Sequence, residues 1–186
     1  MSTAPSQPPF DGARIIIAMG VSSSGKSATG AAIARQLHAP FLDGDQYHPA
    51  ANKEKMSQGI PLQDEDRWPW LETLAGALKE AAHDKGVAVG ACSALKRAYR
   101  DFLTQKAGEP ILFVFLDGDI DTIRKRIEAR RHEFMNPKLL DSQFATLERP
   151  TPDENVLAVG INDPVETVAS HVTRQLTHLK VFKRGQ

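Results

Sequence analysis

The sequence predicts an α/β protein of three layers, with a five-stranded parallel sheet enclosed by helices. Short apolar runs alternate with helical stretches from residue 14 to about 179, the pattern of crossover units that bury a sheet on both faces. The first apolar run leads through a glycine- and serine-rich loop straight into a helix. A length of 186 residues fits a single domain with its own core.

Residues 1–13 carry three prolines and little that packs, so they read as a disordered leader. Residues 14–19 (RIIIAM) are a β-branched strand ending at Gly20, and residues 26–38 form the amphipathic helix after the loop. The alternation continues with a strand at 41–43, a helix at 70–83, a strand at 87–91 and a helix at 94–106. A strand at 111–116 (ILFVFL) precedes a helix at 120–131, and a further helix spans 137–148. The last pair is a strand at 155–161 and a helix from 163 to about 179, where Asp163 fits an N-cap and Pro164 the first helical position. Residues 14–179 thus make one domain, and the basic residues 180–186 are a tail with no function assigned.

Composition narrows the function classes. Hydrophobic residues make up 41% and charged residues 25%, and 23 basic side chains balance 23 acidic ones, so a dedicated nucleic-acid binder is disfavoured. No run approaches the roughly 18 apolar residues of a membrane span, and the N-terminus lacks a signal-peptide core, which makes the cytoplasm the expected location. The single cysteine, Cys92, forms no internal disulfide and reads as a small buried apolar side chain.

Gly20, Val21, Ser22, Ser23, Ser24, Gly25, Lys26 and Ser27 match G-x-x-x-x-G-K-[ST] in full, between a strand and a helix. Glycines let backbone N–H groups converge on phosphate oxygens, and the helix that follows points its positive end at the same anion. Lys26 supplies a mobile cation for the β and γ phosphates, and the Ser27 hydroxyl is placed to ligand Mg²⁺. The loop therefore implies a nucleoside triphosphate.

A carboxylate at a neighbouring strand end should order the magnesium, and the chain offers Asp43 and Asp117. The strand before Asp117 is the more apolar, yet Asp43 belongs to Asp43-Gly44-Asp45, where the second strand should end beside the loop. That pair separates two jobs: Asp43 holds the metal, through water, and Asp45 orients an acceptor hydroxyl or takes its proton. Asp-Gly is also common turn chemistry, and Asp117-Gly118-Asp119 is read that way.

The run from Asp43 to Pro49 (DGDQYHP), Asn52, Lys53 to Met56 (KEKM), Gly59 to Leu62 (GIPL), Asp64 to Leu71 (DEDRWPWL), Cys92 to Arg100 (CSALKRAYR) and Leu140 to Glu148 (LDSQFATLE) resembles the gluconokinases of the small P-loop type. With the phosphate loop the likeness runs from about residue 14 to 178. It implies the P-loop NTPase fold of shikimate and nucleoside-monophosphate kinases, transfer from ATP to the 6-hydroxyl of D-gluconate, Mg²⁺ dependence and a homodimer. The chain departs from the family at Ser23, where the loop usually carries glycine, and at His132-Glu133-Phe134, where Gly-His-Phe is expected at the start of the mobile lid.

Arg126 and Arg130 lie four apart on one helix and share a face, one to stack on adenine and the other to reach the transferring phosphate. Arg124 and Lys125 read as a solvated face. Lys96 and Arg100, also four apart, follow Ser93 at the end of the third strand, a ligand-binding end of an open parallel sheet. With Ser93, Arg67, His48, Asp45 and Gln143 they make an acceptor pocket of hydroxyl partners and a carboxylate clamp, while Trp68 and Trp70 pack to fix Arg67. Residues 48–62 and about 131–150 are the expected lids. The competing readings are a kinase of the same fold with another acceptor, such as shikimate or a nucleoside monophosphate, a nucleotide-dependent regulatory module, and a catalytically dead interaction protein. Gln46 to His48 and Cys92 to Lys96 argue against the first, and intact Lys26, Ser27 and Asp43 against the last.

Overall fold

The computed structural model of the chain describes residues 13–130 and 137–178. The expected tail, all but the last residue of the expected leader, and the lid residues His132, Glu133 and Phe134 lie outside the described residues. Ala13, assigned to the leader from its sequence, is fully buried in the core.

Five strands, β1 (Ile15–Met19), β2 (Phe41–Asp43), β3 (Ala88–Ala91), β4 (Ile111–Asp117) and β5 (Val156–Gly160), form one parallel sheet in the order β2-β3-β1-β4-β5. β1 takes the centre because every one of its side chains is buried, so it needs a neighbour on each edge and a helix layer on each face. Its alternating residues feed two cores: Ile16 joins Leu112, Val114, Val168 and Val172, while Ile15, Ile17 and Met19 join Leu71, Leu74, Leu78 and Leu103.

Helices α1 (Lys26–Leu37), α5 (Ile120–Ala129) and α7 (Val165–His178) supply the first core, and α3 (Asp64–Lys85) with α4 (Arg97–Ala107) the second. α6 (Pro137–Thr146) seats Leu140 and Phe144 against the first core. No described helix is long and apolar enough to cross a membrane.

All five strands and the six expected helices occur, and the differences sit near the site. α3 begins six residues before the expected start at Trp70, with Pro69 inside it. The Asp66 carboxylate accepts from the Gln63 backbone N–H at 2.9 Å and caps the earlier start, and three acidic residues in the first turn suit the helix dipole. The segment at 48–62, expected as a lid, contains α2 (Ala50–Ser57) and is preceded by a 3₁₀ turn at Gly44–Tyr47. α4 starts at Arg97 because residues 93–96 are taken by an irregular loop in which Ala94 is left-handed at φ 46°. At α7 the Pro164 carbonyl accepts the first helical bonds, from Thr167 at 2.9 Å and Val168 at 3.0 Å, which shifts Asp163 one position outside the cap.

Candidate active site

The C-terminal ends of β1, β2 and β3 bring the phosphate loop, Asp43-Gly44-Asp45 and Ser93 to one edge of the sheet. The Gly20 N–H donates to the Ser93 carbonyl at 3.3 Å, which ties the loop to the end of β3. Gly44 is dictated by crowding, since a Cβ there would lie 2.4 Å from the Ala91 carbonyl oxygen. Asp43 and Asp45 therefore sit on a turn pressed against the sheet.

Within the loop Gly25 is left-handed at φ 92° and leads into α1 without a side-chain cap. The first amides of α1 have no partner within the helix, which is the condition for anion binding. Ser23 adopts φ 62°. Serine stands where the family resemblance implies glycine, and the backbone there does require the left-handed region, so the side chain is strained.

The Ser27 hydroxyl donates to Asp43 Oδ2 at 3.0 Å, while Asp43 Oδ1 accepts from the Asp45 backbone N–H at 3.1 Å. Asp45 is left with its own side chain exposed. Burial lowers the Lys26 pKa, and the nearby carboxylates of Asp45 and Asp43 oppose that shift. Asp119 caps α5 by accepting from Thr122 N–H at 2.8 Å, and Asp117 pairs with Arg149, so this Asp-Gly-Asp is structural while the first one faces the loop.

Asp43 and Ser27 form a hydroxyl–carboxylate pair that suits a hard, oxygen-loving cation. Among the described residues there is no cluster of three or more histidine, cysteine or acidic side chains able to cage a metal. An ion such as Mg²⁺, which keeps waters and phosphate oxygens as ligands, fits such a sparse donor set.

On the acceptor side His48 is buried and stacks on Trp70 with centroids 4.0 Å apart, and burial lowers its pKa. Its Nδ1 lies 3.3 Å from Asn52 Nδ2, and Asn52 also donates to the Asp66 carbonyl at 2.9 Å. Trp70 Nε1 donates to the Gly44 carbonyl at 2.8 Å, so this tryptophan fixes the Asp43-Gly44-Asp45 turn. Arg67 lies over the Tyr99 ring at 5.4 Å, and its Nε is buried with no described partner.

Lys96 reaches Asp64 Oδ1 at 3.2 Å, and the Tyr99 hydroxyl donates to the same oxygen at 2.5 Å. The Tyr99 hydroxyl, with Lys96 second, holds the Asp64 carboxyl below the usual carboxylate range. Asp64, Tyr99 and Asn52 had no site role from sequence; Asp64 lay within the DEDRWPWL run, ahead of the helix start expected at Trp70.

Two residues placed in the acceptor pocket from sequence go elsewhere. Arg100 is buried, with Nε and Nη2 gripping Glu154 at 2.9 and 3.0 Å. Its Nη1 donates to the Ala94 and Leu95 carbonyls at 2.9 and 3.2 Å, and Nη2 also to the Glu148 carbonyl at 3.1 Å. Every N–H of the guanidinium is thereby used, and Arg100 is a bolt between α4 and the 148–154 segment. Glu148 N–H also donates to the Leu95 carbonyl at 2.9 Å, so the expected lid is fixed at its C-terminal end. Gln143 turns to the phosphate loop, accepting from Ser22 N–H at 2.6 Å and donating to Ser22 Oγ at 2.8 Å.

Arg126 extends to the donor side of the loop, where it donates to the Ser24 carbonyl at 3.4 Å and to the Ile161 carbonyl. Arg130 is exposed at the end of α5. Arg124 bridges to Asp141 on α6 at 2.7 Å and so does more than face solvent. Cys92 is buried, which pushes its thiol up to about 12 and leaves it inert.

The family model described as shikimate kinase matches residues 22–176. The thermoresistant gluconokinase of Escherichia coli K12 is 45% identical over 92% of this chain and 95% of its own length. The gluconokinase of Gluconobacter oxydans is 41% identical over 87% of this chain and 90% of its own. Among solved structures, a gluconokinase from Sinorhizobium meliloti superposes with a TM-score of 0.80 at 41% identity, covering 91% of this chain and 94% of that one. The APS kinase of Mycobacterium tuberculosis, at 18% identity and a TM-score of 0.63, shares the fold. A complete phosphate loop beside a hydroxyl–carboxylate pair, on this strand order and with these relatives, places the chain in the gluconokinase family of ATP-dependent kinases that act on an alcohol group.

Proposed function

We propose that the protein transfers the γ-phosphoryl group of ATP to the 6-hydroxyl of D-gluconate, giving 6-phospho-D-gluconate and ADP. The observation that carries this is the convergence of Ser27, Asp43 and Asp45 at the mouth of the phosphate loop, a donor-side pair and a separate acceptor-side carboxylate on one turn. The relatives named as gluconokinases choose the acceptor.

Loop amides and Lys26 hold the triphosphate, and Arg126 lies along the loop on the adenine side. Ser27 and Asp43, the latter through water, would hold Mg²⁺, and the ion would supply charge neutralisation at the phosphate oxygens. Asp45 orients the 6-hydroxyl and takes its proton as the oxygen bonds to the γ-phosphorus and the bond to the bridging oxygen of ADP breaks. Arg130 closes over the moving charge. His48, Arg67, Ser93 and Lys96 bind the sugar acid, with Lys96 and Arg67 as the cations for its carboxylate. Positioning and electrostatics supply most of the rate. The protein is further proposed to work in the cytoplasm, where ATP is the available donor, and as a homodimer, for which light scattering should give twice the 20.4 kDa chain mass.

ADP release measured across a panel of sugar acids tests the reading. Release that depends on gluconate supports it, and release indifferent to any acceptor overturns it. Asp45→Asn should lower kcat by about 10²–10⁴-fold; a near-normal kcat removes Asp45 from the chemistry.

A further inference from the structure

Ser23 holds a left-handed backbone conformation that side chains disfavour, and such a residue persists only when its surroundings over-determine it. The neighbouring residue supplies that constraint. Ser22 is gripped at both its backbone N–H and its hydroxyl by the one amide side chain of Gln143, at 2.6 and 2.8 Å. An N–H can only donate, so the Gln143 oxygen must face it and its nitrogen must face the hydroxyl; the two bonds fix each other's direction.

The grip comes from a firmly seated helix. Leu140 is buried and Phe144 packs on the core on either side of Gln143, and Asp141 pairs with Arg124 of α5 at 2.7 Å. Ser24, after the strained residue, is buried, and its N–H donates back to the Val21 carbonyl at 3.2 Å. The leading half of the loop is thus held by α6, and the amides at the start of α1 are left for phosphate.

We propose that Gln143 is a positioning residue that holds the strained phosphate loop in its anion-binding form, and that it acts on nucleotide affinity instead of touching the sugar acid. The inference rests on the reading of residues 20–27 as the ATP site. Without the Gln143 grip, Ser23 relaxes out of the left-handed region and the amides beyond it lose their convergence. Glycine at 23 carries no such strain, so it makes the grip dispensable.

The test is calorimetric titration of the full chain with MgADP and a non-hydrolysable ATP analogue, alongside steady-state KM for both substrates. Gln143→Ala should weaken both nucleotides about tenfold, the range expected for two lost hydrogen bonds, and leave KM for gluconate within about twofold. Adding Ser23→Gly to Gln143→Ala should restore most of the lost affinity, and the melting temperature of each variant, measured alongside, separates this from a global change in folding. A rise in gluconate KM with unchanged nucleotide binding overturns the proposal and returns Gln143 to the acceptor pocket. Failure of the double variant to recover affinity also overturns it. A wild-type chain that binds no adenine nucleotide overturns the kinase reading itself, which the wild-type titration shows before any variant is made.

Discussion

Ser23→Gly in the otherwise unaltered chain is a stability experiment on one backbone angle. At φ 62° the serine Cβ crowds its own backbone, which costs about 1–2 kcal/mol, and glycine removes the clash. Glycine also loses more freedom on folding, by roughly 0.5–1 kcal/mol, so the net gain is about 0.5–1 kcal/mol. For a chain of 186 residues, 1 kcal/mol moves the melting temperature by roughly 2–4 °C, so an increase of about 1–4 °C is expected. Differential scanning calorimetry without nucleotide measures it, with Ser23→Ala as the control that keeps a Cβ at the same angle. Alanine should match serine or fall below it. A lower melting temperature for Ser23→Gly, or an equal rise for Ser23→Ala, would refute the reasoning by showing that the angle is not what limits stability there.

Arg100→Leu strands the buried Glu154 carboxylate and should cost about 3–5 kcal/mol, whereas Arg100→Leu with Glu154→Leu recovers much of it; chemical denaturation distinguishes the two. Any soluble Arg100 variant should keep its gluconate KM, since every donor is used away from the pocket. His48 carries a pKa below its ordinary 6.5 because of burial, so the unfolded chain takes up a proton first as pH falls. Its contribution to stability is therefore complete above about pH 6.5 and lost on acidification; His48→Gln should shrink the difference in melting temperature between about pH 7.5 and about pH 5.5. Asp64→Asn removes the anchor shared by Lys96 and Tyr99 and should raise KM for gluconate up to about fivefold with KM for ATP unchanged.

The layer structure was legible because its cause is local. Apolar runs such as IIIAM and ILFVFL cannot be covered on one face alone, so they specify a sheet between helices. The phosphate loop was legible for the same reason, since chemistry and backbone demand meet in eight consecutive residues. What escaped depends on partners distant in sequence. Arg100 looks like a ligand cation until Glu154, 54 positions away, occupies it. Gln143 faces Ser22 across 121 positions, and no spacing rule connects them. The helix expected from Trp70 starts six residues earlier, where the Gln63–Asp66 cap fixes it.

The position of β1 in the sheet has a consequence for altering the acceptor. Residues assigned to the acceptor, apart from the reassigned Gln143, ride on β2, β3 and the helices between residues 44 and 107, to one side of β1, whereas Arg126 and Ile161 belong to the β4–β5 side. The two halves meet at the phosphate loop at the end of the central strand, and Arg100 bolts α4 to the 148–154 segment. A change of acceptor can therefore be made in the first block while the donor-side residues stay as they are, provided that the Arg100–Glu154 bolt between the halves is kept.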